Sequence, residues 1–339
     1  MSPKILFICK HRNDKYGVAF GLINSCRFVC NALSQYNIAA KTITVIDNNC
    51  IDKEVSSFKP THVFIEALWV VPEKFHILIK IYPTIIWHVR LHSRIPFLGN
   101  EGIAINWLRR YYNEICVKYP KHFFISANNL DIFNSLKKSW NIDTQYYPNI
   151  YSPPKYTHIH TPYNAKTFID IGCFGAIRPM KNHLYQALAA ISFGNNIKQK
   201  IRFHINADRI EMQGEATLKN LEESFTNTQH ELIRHNWVDH KDFIGLVRSM
   251  DLGMQVSFSE SFNIVAADFV QNNIPIVGSP EITWLSSVYK ASPTNLQSII
   301  EKLKIAYYGK NINLHRLNKI GLSKYNKKAT QIWLDRLGI

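Results

Sequence analysis

No run of eighteen or more apolar residues occurs, so a membrane-spanning helix is not expected. Lys4 and Lys10 bracket the first apolar stretch so closely that it predicts a strand and not a signal peptide, and the expected location is the cytoplasm. The six cysteines, Cys9, Cys26, Cys30, Cys50, Cys116 and Cys173, form no C-x-x-C pair, and in 339 residues they predict reduced core positions with no zinc site. Asp-x-Asp is absent, so no metal clamp of paired aspartates is expected. Tandem repeats of 20–50 residues and low-complexity tracts are also missing, which excludes a solenoid and a disordered tail as organising ideas.

What is present is a core-forming composition: 46% hydrophobic and 12% aromatic residues in a length that favours two domains over one. The formal charge is +15, with an excess of +8 in residues 1–150 and +7 in the remainder. Neither half is a detachable basic tail. Such a balance suits a polyanionic partner, and nucleic acid and an anionic membrane surface satisfy it equally.

Apolar runs at Lys4–Cys9, Ala40–Ile46, His62–Glu66, Ile85–Val89 and His122–Ser126, each followed by polar or helical sequence, give the rhythm of a parallel α/β sheet. Tyr147-Pro-Asn-Ile-Tyr-Ser-Pro-Pro154 breaks that rhythm with turn formers, which predicts a linker between a domain over 1–150 and a second over 151–339. The second series has strands at Phe168–Gly172, Ile201–Ile205, Leu252–Val256 and Ile274–Val277, with helices from about Lys181, Thr217, Lys241 and Phe262. Asn295 to Leu337 is helical by period, and its last helix is expected to cross back to the first domain.

Ligands of open parallel sheets bind at the carboxyl ends of the strands, so the loops there carry the candidates. Gly172-Cys-Phe-Gly175-Ala-Ile-Arg178-Pro-Met-Lys181-Asn-His183 leads from a strand into a helix. Its glycines let backbone approach a ligand, and Arg178 and Lys181 add two full charges to the positive helix end, as a diphosphate requires. A solvated basic turn explains the same residues equally well. In Ser257 to Asp268, Glu260 precedes Asp268 by eight positions, just over two helical turns and about 12 Å. That span fits a nucleotide-sugar better than a glycosidase pair, whose carboxyls lie roughly 5–10 Å apart. In the first half, Trp87 to Gly99 places His88, Arg90, His92 and Arg94 at one strand end, and Lys10 to Gly17 forms a second basic loop.

Ser259-Glu-Ser-Phe-Asn-Ile-Val-Ala-Ala-Asp-Phe-Val-Gln-Asn-Asn-Ile-Pro-Ile-Val-Gly278 resembles the Glu-x7-Glu signature of the retaining glycosyltransferases of GT-B architecture, the group that includes sucrose, glycogen and mannosyl synthases. Gly172 to Asn182, Ser126 after a strand, Pro148-Asn149 and Val247 to Val256 match in the same order, so the resemblance runs along nearly the whole chain. It implies an α/β fold of two Rossmann-like domains facing each other across a cleft, and a nucleoside-diphosphate sugar, expected as UDP-sugar, as co-substrate with no other cofactor. By the same resemblance Arg178 and Lys181 bind the diphosphate, Glu260 the transferred sugar, and Asp268 the ribose. Gly17, Gly175, Ser261, Phe262 and Asn263 line the donor site, and His92 is the active-site histidine of the first domain, with His88 in reserve. The sequence departs from the family in three places: Asp268 stands for Glu, Glu-Ser-Phe-Asn for Glu-Gly-Phe-Gly, and separated Gly17 and Gly21 for a Gly-Gly loop. With no Asp-x-Asp and no zinc spacing, retention without a metal is expected.

Lys59 to Phe75, with Arg90 to Ala104, is also similar to bacteriophage glycosyltransferases associated with hypermodified DNA. This implies double-stranded DNA as partner, 5-hydroxymethylcytosine as acceptor, Lys10, Arg12, Arg90 and Arg94 as phosphate contacts, and the host cytoplasm as location. Two alternatives stay open: a polysaccharide or glycolipid transferase docked on a membrane, and a non-catalytic nucleotide-binding module.

Overall fold

The computed structural model describes residues 2–11, 20–154 and 167–339. Two parallel sheets emerge. The first is built from β1 (Lys4–Lys10), α1 (Phe20–Ser34), β2 (Ala39–Val45), α2 (Ile51–Phe58), β3 (His62–Glu66), α3 (Pro72–Ile81), β4 (Ile86–Leu91), α4 (Ile95–Leu98), α5 (Ala104–Arg110), β5 (Phe123–Ala127), α6 (Leu130–Trp140) and β6 (Thr144–Tyr146). Its strand order is β2-β1-β3-β4-β5-β6. Every pairing is parallel, with Ile5 opposite His62 and Arg90 opposite Ser126.

Both faces of the central strands are covered, which is why they read as continuous apolar runs. Leu6, Ile8, Val63, Ile65, Trp87 and Val89 point into one cluster with Phe75 and Leu78 of α3. Phe7 and Phe64 turn the other way and meet the Trp333 ring, with centroids 5.8 and 5.2 Å apart.

The second sheet is built from β7 (Phe168–Gly172), α7 (His183–Asn196), β8 (Lys200–Asn206), α8 (Glu215–Phe225), β9 (Glu231–His235), α9 (His240–Arg248), β10 (Leu252–Gln255), α10 (Ile264–Gln271), β11 (Ile276–Gly278) and α11 (Leu296–Gly309). Its order is β11-β10-β7-β8-β9, again all parallel. The last helix, α12 (Arg316–Leu337), starts against this sheet's own loops, where Asn318 accepts from the Ser286 amide at 3.0 Å.

The chain divides into two compact units, Met1–Lys155 with Asn326–Ile339, and Tyr156–Tyr325. The division falls five residues beyond the expected 150/151 boundary. Tyr151 gives the reason: its backbone N–H donates to Asn326 at 3.0 Å, and its carbonyl accepts from the same amide at 2.9 Å. Trp333 adds a 2.8 Å bond to the Pro148 carbonyl. The turn-rich stretch is therefore fastened to the first unit by the end of α12. Two strands, β6 and β9, were not expected from the sequence, and both lie at sheet edges.

Candidate functional site

In the second unit the loops after β7 and β10 converge. Gly172 is a packing glycine, because an added Cβ would lie 2.5 Å from the Phe174 ring and 2.9 Å from that of Phe269. Gly175 is the conformational glycine: its φ is +122°, a region that side chains strongly disfavour, and the Lys181 side chain lies alongside it. Its amide donates to Asn206 Oδ1 at 3.1 Å, which pins the loop to the end of β8.

Pro179–Lys181 forms a single 3-10 turn, and Asn182 then adopts the left-handed conformation, so α7 starts at His183 and not at Lys181. Asn182 leaves the helix end uncapped and donates instead to the carbonyls of Val256 and Pro293, at 3.0 and 2.9 Å. This ties the first loop to the one after β10. Lys181 Nζ reaches Glu260 Oε1 at 2.6 Å, and Arg178 Nη1 reaches Glu211 Oε2 at 3.2 Å. The Lys181 and Glu260 side chains are 12% and 9% exposed, so the pair is close to solvent without being solvated. His183, buried behind them, is pushed down to about 3, first by burial and then by Lys181 and Arg178.

Asn263 holds φ +65°, and Asn is the residue besides glycine that most readily tolerates this region. Its Oδ1 also accepts from the Ala266 amide at 2.8 Å and caps α10. Phe262 is buried against Trp284 and Tyr325, whereas Ser261 is partly exposed. Asp268 does not stand open beside Glu260: it lies inside α10 at 1% exposure, 2.9 Å from His240 Nε2. Of the two acids eight positions apart, Glu260 is the nearer to solvent and Asp268 lies behind a histidine.

At the ends of β3 and β4 the first unit brings Glu66 and Arg90 together and seals both. Arg90 is fully buried. It donates to Glu66 at 3.2 Å, to Asn149 Oδ1 at 2.6 Å and to the Tyr147 carbonyl at 3.0 Å. Its expected role as a phosphate contact is therefore corrected, because its guanidinium is committed inside the protein. Burial pushes the Glu66 carboxyl up, but Arg90 and His92 outweigh it and hold it below its usual range.

His92 is engaged at both nitrogens. Nε2 bonds Glu66, and Nδ1 lies 3.1 Å from the Asn128 amide nitrogen. Both ring nitrogens thus have partners within the protein, and the tautomer sets which of them donates. Burial lowers its pKa, against the opposing pull of Glu66. His88 is a core residue, stacked on Phe64 with centroids 4.2 Å apart and bonded to Ser126 Oγ at 2.9 Å. Arg94 meets Asp131 through Nε and Nη2 at 3.2 and 2.9 Å. Lys10 is exposed at the end of β1; Arg12 and Gly17 lie outside the described residues.

Sequence reasoning passed over Glu66, Glu211, His240 and Gln255. A signal existed for Gln255, an amide within an otherwise apolar strand. Glu66, Glu211 and His240 gave none, because the partners that tie them to Arg90, Arg178 and Asp268 are 24 or more residues away. Among the described residues, no group of three or more His, Cys, Asp or Glu side chains is arranged to hold a metal ion, and no helix is long and apolar enough to cross a membrane.

No protein-family model matches the sequence, and a search of curated proteins finds no match. Solved structures do match, over almost the full length of both chains. The trehalose-6-phosphate synthase OtsA is 12% identical with a TM-score of 0.67, covering 99% of each chain. Sucrose-phosphate synthase from Thermosynechococcus elongatus gives 12% identity and a TM-score of 0.67, covering 99% of this chain and 98% of its own. A trehalose-6-phosphate protein from E. coli bound with UDP-2-fluoro glucose gives 11% and 0.66, covering 98% of each. At this identity the likeness shows the fold: α/β, two parallel sheets with helices, of the GT-B type.

Proposed function

We propose that this chain is a glycosyltransferase that moves a sugar, with retention, from a UDP-sugar to an acceptor hydroxyl. The observation that carries the reading is the Lys181–Glu260 pair, at 2.6 Å, set beside the left-handed Gly175 and backed by Arg178. The similar structures support it, since one holds UDP-2-fluoro glucose and another concerns glycosyl transfer with retention by trehalose-6-phosphate synthase.

In this reading the diphosphate takes the place of Glu260 as a partner of Lys181 and draws Arg178 from Glu211. As the bond from the anomeric carbon to the diphosphate oxygen breaks, negative charge grows on that oxygen and an oxocarbenium-like sugar forms. Lys181 and the Gly175 loop are in position to meet that charge and Arg178 joins them, and preorganised groups of this kind are worth about 3–4 kcal/mol each. The diphosphate then helps to take the proton of the acceptor hydroxyl, which attacks the same face. Glu260, released from Lys181, accepts bonds from sugar hydroxyls. Asp268 serves the ribose through His240. Side chains supply the positive charge, so a chelator is expected to leave turnover unchanged.

For the acceptor we propose 5-hydroxymethylcytosine in double-stranded DNA. Its support is the +15 charge, spread over both halves of the chain, together with exposed Lys10. A second reading, a phosphorylated sugar, has the products in the names of the similar structures in its favour. The test supplies radiolabelled UDP-glucose with duplex DNA containing or lacking 5-hydroxymethylcytosine, with sugar phosphates, or with lipid vesicles. Label on the modified nucleoside alone supports the DNA reading. Label on sugar phosphate or lipid alone overturns it and keeps the transferase. If UDP fails to bind in calorimetry, the transferase reading falls as well.

A further inference from the structure

Gln255 ends β10, which lies between β11 and β7, and it is 1% exposed. A buried amide in such a strand persists only when its polar atoms are met. Here they are met by three separate pieces of the site. Nε2 donates to the Phe174 carbonyl at 2.8 Å, next to Gly175. Oε1 accepts from Asn263 Nδ2 at 2.8 Å and lies 3.4 Å from Lys181 Nζ. Asn263 cannot turn away, because its own Oδ1 is spent on the cap of α10.

One side chain thus joins the glycine loop, the lysine and the start of the helix that follows Glu260. The charge of the two acceptors on Lys181 matters. Glu260 neutralises the ammonium, whereas the Gln255 oxygen holds it without cancelling its charge. When Glu260 turns to a sugar, a neutral anchor leaves Lys181 fixed and still fully cationic toward a diphosphate.

We propose that Gln255 is a positioning residue for the donor site, setting Lys181 and the Gly175 loop against the start of α10. The inference rests on the nucleotide-sugar reading above and adds a residue to it. Misplacement of a catalytic group by about 1 Å costs on the order of a hundredfold, so Gln255→Met, which keeps the length and loses the polar atoms, is expected to lower kcat by about ten- to a hundredfold. The KM for UDP-glucose should change by less than about threefold, because Lys181 and Arg178 remain. Gln255→Glu keeps an acceptor but adds a charge that neutralises Lys181. It should weaken UDP binding in calorimetry by about tenfold or more at neutral pH, with recovery toward acid pH as the new carboxyl protonates.

The decisive comparison is a cycle with Lys181→Met. If Gln255 acts through the lysine as well as through the Gly175 loop, the loss in the double variant falls well short of the product of the two single losses. Should Gln255→Met fail to fold, Gln255→Glu, which has the same shape and keeps the acceptor toward Lys181 and Asn263 while losing the donor to the Phe174 carbonyl, carries the test alone. A Gln255→Met protein with a lowered Tm but unchanged kcat overturns the proposal, as do losses that multiply in the cycle or a Gln255→Glu protein that binds UDP normally. Wild-type protein that binds no UDP overturns the nucleotide-sugar reading and this inference with it. Normal wild-type binding with indifferent variants overturns this inference alone.

Discussion

Each unit carries an acid–cation pair near the carboxyl ends of its parallel strands, and burial separates them. Glu66 and Arg90 are both 0% exposed and are surrounded by Asn149, His92 and the Tyr147 carbonyl. Lys181 and Glu260 keep 12% and 9% exposure, and the lysine has one neutral acceptor besides the acid. In the first unit the charges are consumed by the fold. In the second they are held in place with reach to spare. A charged residue after a strand is thus a structural strut or a ligand contact according to how many fixed partners surround it.

Breaking the first pair sharpens this contrast most. Arg90→Met leaves the Glu66 carboxylate buried beside an apolar side chain, and loss of one member of a buried pair costs about 3–5 kcal/mol. Urea unfolding should show that loss while UDP still binds below the transition; unchanged stability would mean that Arg90 is not the strut described here.

The second pair should respond in the opposite way. Lys181→Ala is expected to cut turnover by about a hundredfold or more, in line with lost preorganised donors, while moving the unfolding midpoint little. Full activity of that variant would remove the diphosphate assignment.

The effect per pH unit is smaller for the buried histidine behind the second pair. His183 titrates near 6.5 when unfolded and about 3 when folded, so between these values the unfolded chain binds a proton that the folded one does not. Stability should therefore fall as pH drops through that window, by about 1.4 kcal/mol per pH unit for this one group. His183→Leu should flatten the pH dependence of Tm over the same range by that one proton. An unaltered slope would show that burial, with Lys181 and Arg178 beside it, does not depress His183.

The central strands were legible because parallel strands covered on both faces are almost wholly apolar, as in Lys4–Cys9 and Phe168–Gly172. Edge strands escaped for the converse reason: β6 has three residues and β9 reads Glu-Leu-Ile-Arg-His, which lacks an apolar run. The start of α7 was misplaced by two residues because Asn182 interrupts the backbone with a left-handed step that residue type does not announce.

The sequence by itself determined the two α/β series, the loops in which Arg178, Lys181 and Glu260 lie, and the chain's net charge, because periodicity, order and composition are properties of the chain alone. Tertiary structure alone decided that Lys181 meets Glu260 and Gln255, 79 and 74 residues away, that Asp268 stands behind His240, and that Arg90 turns inward to Glu66. The physical reason is that a charge takes its role from its partners and its distance from water, and both are set only when separate strands are brought side by side.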